Sequence, residues 1–403
     1  MKSNTLASHN ITVLFWINLF GSISFIQPVM TLFYIEKGLT ESHILWIMMF
    51  WSGAVLLAEV PTGIFADKYG AKASFLTGSF FKFISVGLLL FADEPWLFML
   101  CSFINGCSVT FFSGADEALL YDSLKESEEQ HLMDRAMGKI TSANFFTMTA
   151  AVIIGAFLAK DLKQEQFNLL IGLGMFFQLV EFGMIFFVKN PQKATSYREN
   201  PFLYVKKGFK VIRKTPQLLY MFINLTLVFI PAGAVFNKFD QLILKEAAVP
   251  VEWIGVLYAL AGIAGFFATR HLGWLTAKFS SVSLMHITGI MAVIGLLLSV
   301  MAGHNTFVII GAFFLLKTVN AIRYPIYSQL SNDWIPSEVR ATTISLLSIL
   351  DSVFDLVIFL TLAGAVTKGM PIMLAACAAI AFAGTLVPIR KGVLEENAAK
   401  EIV

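Results

Sequence analysis

The chain is 403 residues long, 57% hydrophobic and only 14% charged, with a formal net charge of +2 and a mean hydropathy of +0.73. Soluble chains carry roughly 25% charged residues, so the composition excludes a soluble globular protein and describes a polytopic membrane protein. The small net charge gives no ground for a nucleic-acid partner, and Cys101, Cys107 and Cys377 lie in apolar runs without the spacing of a metal or redox site.

Apolar windows of spanning length fall at residues 11–35, 42–66, 74–92, 96–122, 136–159, 166–188, 217–247, 252–270, 282–302, 305–331, 342–367 and 369–389, which predicts twelve membrane helices. The first window, preceded by Lys2 alone, is too long for a secretory signal core and lacks a small-residue cleavage site, so it is expected as a retained helix. The longest polar interruption, Lys189 to Pro216, is rich in Lys and Arg and reads as a cytoplasmic linker, part of it a candidate interfacial helix. The expected organisation is a six-helix bundle over 1–188, a linker over 189–216, a second six-helix bundle over 217–390 and a cytoplasmic tail over 391–403. With both termini inside, Lys37, Lys160, Lys163, Lys245 and Lys368 fall outside and Lys82, Lys238, Lys317 and Arg323 within spans. The remaining twenty of the 29 Lys and Arg residues are then cytoplasmic, and that asymmetry sets the expected orientation.

Between the second and third windows stands Glu59-Val60-Pro61-Thr62-Gly63-Ile64-Phe65-Ala66-Asp67-Lys68-Tyr69-Gly70-Ala71-Lys72, a charged turn punctuated by glycine. Gly63 and Gly70 are expected to allow close helix approach and a tight reversal, with Asp67, Lys68 and Lys72 at the water interface. The halves repeat at an offset of about 205 to 210 residues. Gly63, Lys68 and Tyr69 find Gly273, Lys278 and Phe279, with Ala277 in place of Asp67; Tyr121 finds Tyr327; Arg135 finds Arg340. The turn resembles the signature loop of the major facilitator superfamily, Gly-x-x-x-Asp-(Arg/Lys)-x-Gly-(Arg/Lys)-(Arg/Lys), matched by Gly63, Asp67, Lys68, Gly70 and Lys72 and departed from at Ala71. The resemblance covers essentially the whole chain. It implies an all-α membrane fold of twelve transmembrane helices in two pseudo-symmetric six-helix bundles, no enzyme activity, and a monomer. It also implies that Asp67 latches onto the N-terminal end of the eleventh helix near Arg340, where the helix dipole favours a carboxylate.

A charge inside the hydrocarbon costs roughly 2.5–3.5 kcal/mol on insertion scales, so charged residues within spans are the site candidates. Glu59, Lys82, Asp116, Glu117 and Arg323 lie at similar depth from the cytoplasmic ends of their helices. An offset of 206 sets Glu117 opposite Arg323 on helices four and ten, which line the central cavity in the superfamily. The expectation is a pair between Arg323 and Glu117 or Asp116 that forms and breaks across the halves; the alternative is a permanent bridge within one half, such as Glu59 with Lys82. Asp351 and Asp355 are four residues apart and share a helix face, where like charges repel, so either is a candidate proton carrier unless Lys317 or Lys238 neutralises it.

Among uncharged residues, Asn18, Gln27, Asn144, Asn224, Asn237 and Asn320, with the cations Lys238 and Lys317, are substrate-binding candidates, although polar residues more often join helices by hydrogen bonds. Pro28 and Pro231 interrupt the first and seventh windows near corresponding positions, a pointer to a binding region. The 39 phenylalanines could line an apolar pocket but mostly suit lipid and packing. There is no Gly-x-x-x-x-Gly-Lys-(Ser/Thr) phosphate loop, which argues against direct ATP coupling, and no metal or other cofactor is expected; the proton gradient is the expected driving force.

Glu59-Val60-Pro61-Thr62-Gly63 and Gly114-Ala115-Asp116-Glu117-Ala118 further resemble a bacterial branch of the superfamily associated with drug or metabolite efflux. The resemblance implies a secondary transporter of a small molecule in a bacterial cytoplasmic membrane, working by alternating access, with proton-coupled efflux of a drug-like or amphipathic compound as the leading reading. The fourth window lacks the basic-x-x-x-Gly motif of many drug antiporters and carries acids instead. Two alternatives stand beside it: proton-coupled uptake of an anionic or zwitterionic metabolite, and a transporter-like sensor or assembly protein that moves nothing. The expected partners are the substrate and the bilayer.

Overall fold

The computed structural model describes residues 5–191, 216–303, 305–334 and 340–389. The expected linker, apart from residues 189–191 and 216, and the tail lie outside these residues. Among the described residues ten helices are long and apolar enough to cross a bilayer, and Met370–Leu386 is a shorter apolar one. With the interrupted segment formed by Leu6–Gly21, Gln27–Val29 and Met30–Glu36 they make the twelve spans expected, and the described residues contain no strand.

Local chemistry explains where the spans begin and bend. Thr40 caps the second span, Glu41–Tyr69, by accepting the His43 N–H, and the His43 ring nitrogen accepts from the Thr40 N–H. Ser280 caps the ninth, Ser281–Met301, in the same way through Ser283. Pro95 and Pro371 occupy first turns, where the missing N–H has no helical partner to lose. The first span breaks after Gly21 and resumes in a 3₁₀ turn containing Pro28. The seventh consists of Pro216–Phe229, a π-helical turn Ile230–Val235 containing Pro231, and Phe236–Glu246. Both interruptions stand where the prolines predict them. A third was not expected: the fourth span divides into Pro95–Thr110 and Ala115–Glu126 at Gly114, whose φ is +71°.

The chain forms two compact units, Met1–Arg198 with Pro250–Ala259, and Glu199–Val249 with Leu260–Val403. In the first, hydroxyls donate to backbone carbonyls across helix pairs. Ser102 reaches Ile47 O and Thr62 reaches Thr110 O between the second and fourth spans; Ser85 reaches Cys101 O between the third, Ala71–Leu88, and the fourth. Inside a bilayer such bonds and tight packing hold helices together where water supplies no hydrophobic drive. Ile11, Leu14, Phe75, Leu120, Ile140 and Ile185 build its buried core from the first, third, fourth, fifth and sixth spans. In the second unit Met221, Met285 and Ile326 join the seventh, ninth and tenth spans, while Phe222 packs with Leu347 of the eleventh.

Candidate functional site

The signature loop turns at Gly70, whose φ of +82° is strained for any residue with a Cβ and whose open side faces the Asn190 amide 2.8 Å from where a Cβ would sit. The Asn190 carboxamide oxygen accepts the Lys72 N–H (3.3 Å), and Lys72 Nζ donates to Phe186 O (2.5 Å). Phe186 ends the sixth span, Gln164–Ile185, so the cation meets the negative end of a helix dipole. This anchor to the sixth span was not foreseen. Asp67 and Lys68 are exposed, Lys68 lying 4.9 Å from the Tyr69 ring centroid. Gly63, expected to permit close approach, has no heavy atom within 4 Å of a built Cβ among the described residues. Arg340 opens the eleventh helix, Arg340–Val366, but its side chain lies outside the described set, as does the segment before it.

Glu59 with Lys82, the example given for a bridge within one half, is not the pair that the structure holds. Glu59 accepts from the Ser113 hydroxyl (2.9 Å), and Lys82 pairs with Glu181 of the sixth span at 3.0 Å, an acid the sequence reading overlooked although it stands alone in its apolar window. Asp116 and Glu117 do not lie inside a continuous helix either. They occupy the first turn after the Gly114 break, where the dipole favours acids, and Asp116 accepts the Glu117 N–H (2.8 Å). Asp116 is half-buried and Glu117 exposed.

The first unit's polar candidates divide. Asn18 donates to Leu14 O on its own helix (3.1 Å), and Gln27 is exposed at the head of the 3₁₀ turn. Asn144, on the fifth span Met133–Leu158, is half-buried, and its buried Oδ1 has no hydrogen-bond partner among the described residues.

In the second unit Arg323, on the tenth span Thr306–Trp334, is completely buried. One terminal nitrogen donates to Met285 O (2.5 Å) and the Thr288 hydroxyl (3.0 Å), the other to Asn224 O (2.8 Å) and Asn224 Oδ1. The guanidinium therefore ties the seventh, ninth and tenth spans of its own unit. Its fixed fork of donors suits several carbonyl acceptors at once. Asn224 continues the network by donating to Val387 O (3.1 Å).

Lys317 pairs with Asp240 at 2.8 Å and donates to Asn237 Oδ1 at 2.7 Å. Lys238, on the same helix as Asp240, is half-buried. Asn320 donates to Ala232 O in the π-helical turn (3.0 Å), satisfying a carbonyl where the helix register widens. Asp351 accepts from the Thr226 hydroxyl (3.0 Å), and Asp355, one turn on, is half-buried.

A family model described as Major Facilitator Superfamily matches residues 12–357. The multidrug resistance protein MdtH of Proteus mirabilis is 24% identical over 229 residues, covering 53% of this chain and 54% of that protein. MdtH of Salmonella arizonae is 28% identical over 112 residues, 28% of this chain and 26% of that one. The chain thus aligns with about half, or less, of the length of these relatives. Among solved structures, the nucleoside transporter NupG superposes with a TM-score of 0.74 at 13% identity, covering 95% of this chain and 98% of that one. A D-xylose-proton symporter gives 0.70 at 12% identity, covering 96% and 97%. At those identities the likeness is one of fold. With the family's model matched over most of its length, the chain is a multi-pass membrane protein that belongs to the major facilitator superfamily, whose members are transporters and not enzymes.

Proposed function

We propose that the protein is a proton-coupled efflux transporter of drug-like or amphipathic compounds, exchanging substrate for protons by alternating access in a bacterial cytoplasmic membrane with both termini inside. The observation that carries the coupling is Asp351: within a membrane span it has a threonine hydroxyl for a partner and no cation among the described residues. Asp116, half-buried and likewise without a cation there, is a second such acid. Carboxylates kept at this depth without neutralising cations are places where a proton can reside and be exchanged. Efflux is favoured over uptake of an anion because Lys317 and Arg323, two of the three cations (with Lys238) that an anion could meet, are engaged by Asp240 and by the Asn224, Met285 and Thr288 acceptors. The names of the MdtH relatives point the same way. The test is ethidium accumulation in everted membrane vesicles energised by a proton gradient. Wild type should accumulate the dye and lose it when the gradient is collapsed, whereas Asp351→Asn should accumulate little. Accumulation that survives collapse of the proton gradient would overturn the coupling.

A further inference from the structure

A cavity of about 460 Å³ opens in the first unit where the first span begins and the sixth ends, lined by Thr5, Leu6, Ser8, His9, Thr12 and Lys189. Sites that hold drug-sized ligands span roughly 300–1,000 Å³. The lining carries three hydroxyls, an imidazole and an ammonium, and no acid. Its walls are fixed from behind. Asn10, completely buried, donates to Lys189 O (2.8 Å) and to the Ser123 hydroxyl (2.8 Å), and accepts the Lys189 N–H (3.1 Å). His9 Nε2 lies 2.9 Å from Phe187 O. The backbone at Lys189 is therefore held, while its ammonium makes no ion pair among the described residues. The first amides of the helix are already engaged: the Ala7 N–H donates to the Ser127 hydroxyl, the Ser8 N–H to the Thr5 hydroxyl and the His9 N–H to Thr5 O. The donors free for a ligand are thus side chains.

An apolar track leads from this cavity along both helices. On the first span His9, Thr12, Trp16 and Phe20 share a face at helical spacing. Trp16 is exposed and stacks on Phe20, which in turn stacks on Phe177 of the sixth span. On the sixth, Phe176, Leu179 and Gly183 form an exposed face that leads to Phe187, exposed where the helix ends. A Cβ at Gly183 would meet no heavy atom within 4 Å among the described residues, so the track is open there.

We propose that the cavity binds the headgroup of an anionic phospholipid, its phosphate diester meeting Lys189 and the Ser8 and Thr5 hydroxyls while an acyl chain lies along the aromatic track. The proposal goes beyond the transport reading and depends on neither its substrate nor its coupling. Basic pockets between membrane helices at the cytoplasmic side hold anionic headgroups in other proteins. A phosphate diester keeps one negative charge and brings only acceptors, which suits a lining of donors without an acid. A zwitterionic headgroup brings an ammonium of its own, for which that lining has no counterpart, so a net negative lipid is preferred. Lys72, which donates to Phe186 O, adds a second cation at the same helix end. Bound there, the headgroup fastens the point where the chain leaves the sixth span to the start of the first.

Native mass spectrometry of the full chain released from detergent micelles tests this, with phosphatidylglycerol and phosphatidylcholine of identical acyl chains as the probes. Wild type should bind phosphatidylglycerol about fivefold more tightly, the effect of one cation near the membrane surface. Lys189→Ala should bring the two lipids level, and Lys189→Arg should keep the preference. Lys278→Ala, which removes a cation lying over the Trp274 ring in the other unit, should leave it unchanged. Equal binding of the two lipids by wild type overturns the proposal, and so does a preference that survives Lys189→Ala or falls as far in Lys278→Ala. Glycerol phosphate, which has no acyl chains, should fail to displace phosphatidylglycerol when added in excess; displacement overturns the lipid as the occupant. Photo-crosslinking needs no variant to fold: a phosphatidylglycerol with a photoreactive headgroup should label residues 5–12 of wild type, and labelling confined to other segments overturns the site.

Discussion

The ammonium of Lys317 lies 2.8 Å from Asp240 Oδ2 and also donates to Asn237, joining the tenth span to the C-terminal part of the seventh beyond its π-helical turn. Asp240 is fully buried and the Lys317 side chain is 15% exposed. Removing either partner breaks a buried ion pair, so Lys317→Met or Asp240→Leu should each lower stability, by up to about 3–5 kcal/mol. The double variant, which removes both charges of the pair, should recover part of that loss. Thermal unfolding in detergent checks it, and losses in the double variant equal to the sum of the singles would show that the two residues are not coupled.

Arg323 makes its bonds through both terminal nitrogens, to acceptors on two other helices. An ammonium cannot reproduce that fork. Arg323→Lys is therefore expected to unfold at nearly as low a temperature as Arg323→Met, while Asn224→Ala, which leaves the Met285 and Thr288 bonds in place, loses less. A lysine variant as stable as wild type would mean that charge alone, and not the arrangement of donors, holds the three spans together.

Gly70 carries two separate demands, a left-handed backbone and a neighbouring amide. Gly70→Ala should cost about 1–2 kcal/mol from the backbone alone, with crowding against Asn190 added. Combining it with Asn190→Ala relieves only the crowding, so the double variant should stay less stable than Asn190→Ala. Chemical unfolding of the three variants separates the two effects.

The spans were readable in the sequence because a bilayer sets the length of an apolar run, and the breaks at Pro28 and Pro231 were readable because proline removes a donor. The break at Gly114 was not: Phe111 and Phe112 keep the window apolar across it, and a lone glycine also occurs in unbroken spans. Arg323 shows the limit of the internal repeat. An offset of 206 assigns a residue to a helix and a depth but says nothing of which way its side chain points, and two of its four acceptors are backbone carbonyls that every residue carries. Glu181 was available as a solitary acid in the window 166–188, yet without a motif around it only the approach of Lys82 and Gly21 marks it out.

Proton coupling is most directly tested by purified protein in proteoliposomes loaded with a pH-sensitive dye and exposed to an ethidium gradient without an imposed pH difference. The account predicts proton movement opposite in direction to the ethidium gradient in wild type, and its loss in an Asp116→Asn, Asp351→Asn double variant that still binds ethidium. Ethidium transport by wild type without proton movement would contradict it.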